Sequence, residues 1–171
     1  MSAPVMAWHF VGPTLRNGDP VPADGEALRH DGPVSICVSG LHASRRPIDA
    51  LRYAPGSTIC RVECRDVVEE QDDKLVCRER VILWRVEGDG LLRDFARSCA
   101  LDVVHLWDAP DVVLRYLRTG DESLRDAAWV AARDAAWVAA GPAAWVAAWV
   151  AAGDAQNRRL MSMVSARRGA A

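Results

Sequence analysis

The stretch from Asp126 to Asp154 constrains this chain more than any other. Asp126–Arg133 reads DAAWVAAR, Asp134–Gly141 reads DAAWVAAG, Pro142–Ala148 reads PAAWVAA, and a clipped WVAAGD ends the series. Alanine at this density favours helix, because it loses no side-chain entropy there. Eight residues at about 100° each overshoot two turns by about 80°. Trp129 and Trp137 therefore point in different directions on one unbroken helix. Gly141-Pro142 offers a restart, and Trp145 and Trp149, four apart, share a face. The spacing predicts a helical extension over 121–171, with Asp154 as N-cap of a last helix. Its tryptophans pack either on their own domain or on a second copy of the chain, as a homo-oligomer seam.

The repeat also distorts the composition. Half of the 171 residues count as hydrophobic, but 28 are Ala, and 15 of those fall between Ala127 and Ala155. Residues 1–120 then read as an ordinary small α+β domain. Ala135–Ala152 carries no charge over 18 residues, near the lower limit for a membrane span. Its alanines barely favour lipid, Gly141-Pro142 interrupts it, and Arg133, Asp134 and Asp154 flank it, so no membrane segment is expected. A net charge of -2 argues against general nucleic-acid binding. Twenty arginines against the single Lys74 read as a GC-rich coding bias. Arg158, Arg159, Arg167 and Arg168 near the end read as a solvated face or a contact for an acidic partner. Five cysteines, an odd number, with no leader pattern, predict reduced thiols and a cytoplasmic setting.

Along the first part, Val5–Val11 and Val34–Val38 read as strands, with a turn-rich segment between and a short helical turn near Glu26–Arg29. Pro47 opens a short helix that Pro55-Gly56 ends. Ser57–Cys64 alternates as a strand, with Thr58, Cys60, Val62 and Cys64 on one face. Glu69–Asp73 is an acidic turn, and Lys74–Val86 a long strand. Leu91 to Leu106 has helical period, and Pro110–Thr119 forms a second helix left at Gly120. The sum is an α+β fold: a small, mainly antiparallel sheet with a packed helix, then a helical Ala/Trp-rich half.

No metal site is expected. Cys60 and Cys64 lie about 13 Å apart on a strand, too far for one zinc ion, and read as small core residues. The segment CVSGLHASRRPIDALRY, Cys37–Tyr53, is the informative one. His42 lies at a strand end, where imidazole serves as acid, base or donor, or caps and packs locally. Arg45 and Arg46 flank a helix start, which favours anions. His9, inside the first strand, reads as packed or catalytic.

Gly40-Leu41-His42-Ala43, followed by Pro47-x-Asp49-x-Leu51-x-Tyr53 and the strand Ile59–Cys64, resembles an uncharacterised small domain of phage and bacterial proteins, over roughly Ala7–Val86. That family carries no firm activity. A looser resemblance is to ADP-ribosyltransferases of the His-Tyr-Glu type. It implies NAD as cofactor, His9 holding the ribose, His42 at the base or phosphate and Glu79 polarising the transferred group. Leu41-His42 stands where that family has its Tyr.

Two readings follow. In one, a phage-type protein binds a small nucleotide-like anion or a protein partner, acting against a bacterial defence system, with Arg45, Arg46 and Tyr53 lining the site. In the other, it is an NAD-dependent ADP-ribosyltransferase or NAD glycohydrolase that uses His9, His42 and Glu79.

Overall fold

The computed structural model describes residues 3–139 and 142–170, with side chains left out over 133–152. Gly141 and the directions of Trp137, Trp145 and Trp149 lie outside the described residues. The fold is α+β, as the sequence predicts.

Two long strands, β4 (Thr58–Glu70) and β5 (Leu75–Glu87), form an antiparallel hairpin. Their β-branched and alternating residues suit a pleated, half-buried surface. β1 (Val5–Val11) pairs with the far edge of β4, and His9 stands opposite Cys60. The open edge of β5 takes β2 (Ala27–Arg29) and β3 (Leu41–Ala43) in turn. Arg29 pairs with Glu79 and Leu41 with Cys77, only two positions further along β5. The two short strands are thus one edge strand, interrupted by the excursion 30–40. After β3, Ser44 exchanges backbone hydrogen bonds with Trp8 of β1, at 2.7 and 2.9 Å. The sheet thereby curls until its two ends meet. Register shifts in the hairpin at Arg61/Val62 and Val67/Glu69 supply the bend.

Cys60, Val62, Cys64, Leu75, Cys77 and Ile82 point inside this curl, together with Ala7 and Val11. Trp8, Phe10, Ile59 and Val86 are buried on the other face. The helix α1 (Pro47–Leu51) packs against β1.

Several expectations change. Val34–Val38 is a tight turn closed by Ser35 and Ser39, because β2 and β3 already hold the edge a strand there would need. Ala27–Arg29 is strand rather than helical turn, since Leu28 finds a ladder partner in Arg80. β4 runs on to Glu70, so the acidic turn shrinks to the residues after it.

By Cα proximity the chain divides into two compact units: residues 1–89 with 160–171, and residues 90–159. In the first, Leu160 and Val164 from the end of the last helix are fully buried. The second holds most of α2 (Asp89–Val103), α3 (Asp111–Thr119) and α4 (Arg125–Ala139). Gly120 ends α3 at a φ of 67°, a left-handed cap whose N–H bonds Tyr116. Phe95, Val113 and Ala128 are its buried apolar side chains among the described residues, and Arg159 clasps Asp102 at 2.6 Å. The helix α5 (Pro142–Gly169) passes through Asp154 without a break. The surrounding alanines continue it, so no helix begins at Asp154. Among the described residues no helix is long and apolar enough to cross a membrane.

Candidate functional site

The excursion 30–40 leaves the sheet and returns at Gly40. Gly40 has a φ of 110°, and a Cβ there would sit 2.6 Å from Val76 and 2.9 Å from Val34. Only glycine fits this return. His42, two residues later, holds the excursion in place. Its Nε2 accepts the N–H of Cys37 at 3.0 Å, and its Nδ1–H donates to the carbonyl of Gly40 at 3.2 Å. These two bonds set the tautomer and leave the imidazole neutral. Burial lowers its pKa, against the pull of the Gly40 carbonyl, and Arg80 lowers it further. Glu69 adds a second tie by accepting the N–H of Ile36 at 3.2 Å. Cys37 is left exposed at the tip, at a φ of 64°.

The remaining predicted residues fall in three places. Arg45 grips Glu70 with two hydrogen bonds, which hold that carboxyl below its usual range. Arg46 lies 3.5 Å from Asp49 on α1. Tyr53 donates to Asp73 and accepts from Lys74 at 3.3 Å. Arg52, Gln71, Asp72 and Asp73 line an open depression of about 540 Å³ nearby, an acidic rather than cationic hollow.

His9 faces inward with Cys60. Burial pushes its pKa well below the usual value, and the charges of Arg80 and His42 add to that. The structure does not set His42 beside it: Leu41 and Ala43 take the inner face, which turns the His42 side chain to the other, and only its charge reaches His9. Nor does it bring Glu79 to His9. Cys64, the neighbour of Arg65, points inward. Arg65 pairs with Glu79, so both face outward. There Glu79 holds Arg29 at 2.8 Å and Arg65 at 2.6 Å.

A third constellation was not singled out from the sequence. Trp8, Arg61 and Trp84 are neighbours across β1, β4 and β5 on the face opposite the thiols. The two indoles meet edge to face at 5.6 Å. Arg61 lies 4.8 Å from the Trp8 ring, and Arg168, near the end of α5, lies 4.6 Å from the Trp84 ring. Neither guanidinium enters an ion pair among the described residues, whereas Arg45, Arg46 and Arg65 each have a carboxylate. Beside Trp84 a depression of about 340 Å³ is lined by Ser165, Arg168 and Gly169. The sequence signal was present: Trp8, Arg61 and Trp84 hold alternate, outward positions. Only the cross-strand register aligns them, and only the path of α5 delivers Arg168.

A curled antiparallel sheet with a short helix, carrying polar clusters on its rims and an indole–guanidinium stack on its outer face, defines a small α+β domain. Residues 5–94 match a family described as a domain of unknown function (DUF7666), and the chain belongs to it. The match runs from the start of β1 into α2 and leaves the Ala/Trp-rich helices outside. No curated protein and no solved structure matches the chain.

Proposed function

We propose that this domain binds a small, planar, nucleotide-like anion without transforming it, and that the ligand sits against Trp84. The stack of Arg61, Trp8, Trp84 and Arg168 carries this reading. An indole face takes a base, worth about 1–3 kcal/mol per stacked base. Guanidinium groups without a carboxylate take phosphate by paired N–H donors. The adjoining depression, about 340 Å³, falls at the lower end of ligand-pocket sizes. Arg45 and Arg46, the anion-binding candidates from sequence, already lie against Glu70 and Asp49.

The second reading, ADP-ribosyl transfer or NAD hydrolysis, draws on the residue types His9 and His42, of which His9 alone lies on the inner face. It lacks a carboxylate at Glu79 on the side of the sheet that holds His9. The test uses the full chain with AMP, ATP or NAD. Binding raises Tm in proportion to ligand occupancy, and Arg168→Met or Arg61→Met removes the rise. No nicotinamide is released from NAD. Release abolished by Glu79→Gln would put the enzyme reading first. Absence of any nucleotide-dependent Tm shift would overturn the binding reading.

A further inference from the structure

Arg80 lies on the inner face of the curled sheet, 6% exposed, opposite Cys64 on β4. Its Nη1 donates to the backbone carbonyl of His42 on β3. Among the described residues that is its one hydrogen bond, and no carboxylate pairs with it. A guanidinium has five N–H donors, and taking its charge out of water is costly unless an opposite charge meets it. Arg85, opposite Cys60, already holds Asp24 at 2.6 Å, so that carboxylate does not serve Arg80.

His9 faces the same interior. It lies between Ala7 and Val11 on the inward side of β1, and its ring has no hydrogen-bond partner among the described residues. Closure of the sheet brings the two side chains toward each other. Ser44 is bonded to Trp8, so the end of β3 lies alongside the middle of β1. Arg80 reaches across the interior to that end, at the His42 carbonyl. Its charge is felt at His9.

The place between them is a recess rather than a filled core. Its walls are small side chains: Ala7, Ala43, Cys60, Cys64 and Cys77. His9 is enclosed enough for burial to govern its protonation, yet it keeps accessible surface. A ring that is both enclosed and reachable lines a hollow. Nε and Nη2 of Arg80 are likewise not sealed from solvent.

We propose that the interior of the curled sheet binds a small monovalent oxyanion, of the size of formate, nitrate or bicarbonate, between Arg80 and His9. One negative charge balances one guanidinium, and the imidazole stays neutral. Two oxygens in one plane meet the fork of Nε and Nη2. A ring N–H of His9 donates to one of them. Phosphate carries more charge and bulk than a single cation among small side chains offsets. This site lies on the face opposite Trp84 and is independent of the nucleotide reading.

The experiment measures thermal melts of the full chain at pH 7.5 and constant ionic strength, with sodium formate replacing sodium sulfate. Formate is expected to raise Tm saturably, with nitrate and bicarbonate acting alike. His9→Phe should weaken the apparent affinity about tenfold, the worth of one charge-assisted hydrogen bond. Arg80→Met should abolish the rise, and the double variant Arg61→Met, Arg168→Met should keep it. If Arg80→Met does not fold, nitrogen-15 spectra of the unaltered chain decide. The His9 ring resonances then shift on formate addition, while those of His30 and His105 stay. A native chain without a saturable formate effect, an equal effect of sulfate, a rise that survives Arg80→Met, a rise lost in the Arg61/Arg168 double variant, or an unmoved His9 ring overturns the proposal.

Discussion

Protonating His9 and His42 is a perturbation the fold resists, because burial disfavours the charged imidazolium and the charge of Arg80 adds to that. The usual histidine pKa is 6.5, and both are lowered in the folded chain, His9 the more strongly. Between 6.5 and the lowered values the unfolded chain binds a proton that the folded chain refuses. Stability is therefore fully present above pH 6.5 and falls as pH drops through the folded pKa values. One refused proton gives a slope of about 1.4 kcal/mol per pH unit. His9, on the inner face, supplies most of it. His42 is partly open to water, so its share is a fraction of that. The total slope is then between about 1.4 and 2.7 kcal/mol per pH unit, the upper limit being two full protons. The lowered carboxyl of Glu70 starts from 4.5 and adds to this only at lower pH. Urea denaturation followed by far-ultraviolet circular dichroism across this range reads the slope from the midpoint at constant m. His9→Gln removes the larger share, and His42→Gln the smaller. A stability that is flat below pH 6.5, or a slope unchanged in His9→Gln, would refute the burial of a neutral His9 on the inner face.

Three further outcomes follow from packing. Gly40→Ala forces a Cβ into Val76 and Val34 at a left-handed φ; it should cost about 2–5 kcal/mol, as backbone strain plus overpacking, in urea denaturation. Ile59→Ala empties a fully buried position between β1 and β5 and should cost about 2–5 kcal/mol by the same measurement. Asp102→Asn breaks the Arg159 pair, which is largely solvent-exposed; thermal melts should show a loss below about 1 kcal/mol.

The strands illustrate what alternation can reveal. Cys60, Val62 and Cys64 share the inner face because a strand has period two, and this was readable from the residues alone. Val34–Val38 has the same local character, yet it turns. A strand needs an unoccupied neighbouring edge, and β2 and β3 hold the one available. Leu28 failed in the other direction. Three residues carry no useful period, so its ladder with Arg80 is invisible without the partner strand. Asp154 is a good cap by type, but caps act only where a helix begins, and the alanines on either side continue the helix.

The candidate sites divide in the same way. His42 and Gly40 were legible, since a histidine and a glycine at a strand junction mark a place where the chain is held. That the imidazole would bond Cys37 and Gly40 was not, because the excursion's path depends on β2 and β3 sharing one edge. Glu79 and His9 looked compatible as residue types. The pleat puts them on opposite faces, and one position of register decides that. Trp8, Arg61 and Trp84 are far apart in the chain, and no local pattern connects them.

The sequence by itself determined the helical nature of the Ala/Trp repeat, the strand that starts near Thr58, the long strand around Val81, and the break at Gly40. These depend on near-neighbour forces: side-chain entropy, period two, and a backbone angle open only to glycine. The tertiary structure alone decided the closure of the sheet through Ser44 and Trp8, the burial of Arg80 among thiols, and the meeting of Arg168 with Trp84. Those depend on which edges are left unpaired and on charges and rings brought together across many residues, where a single chain carries no local record of its partners.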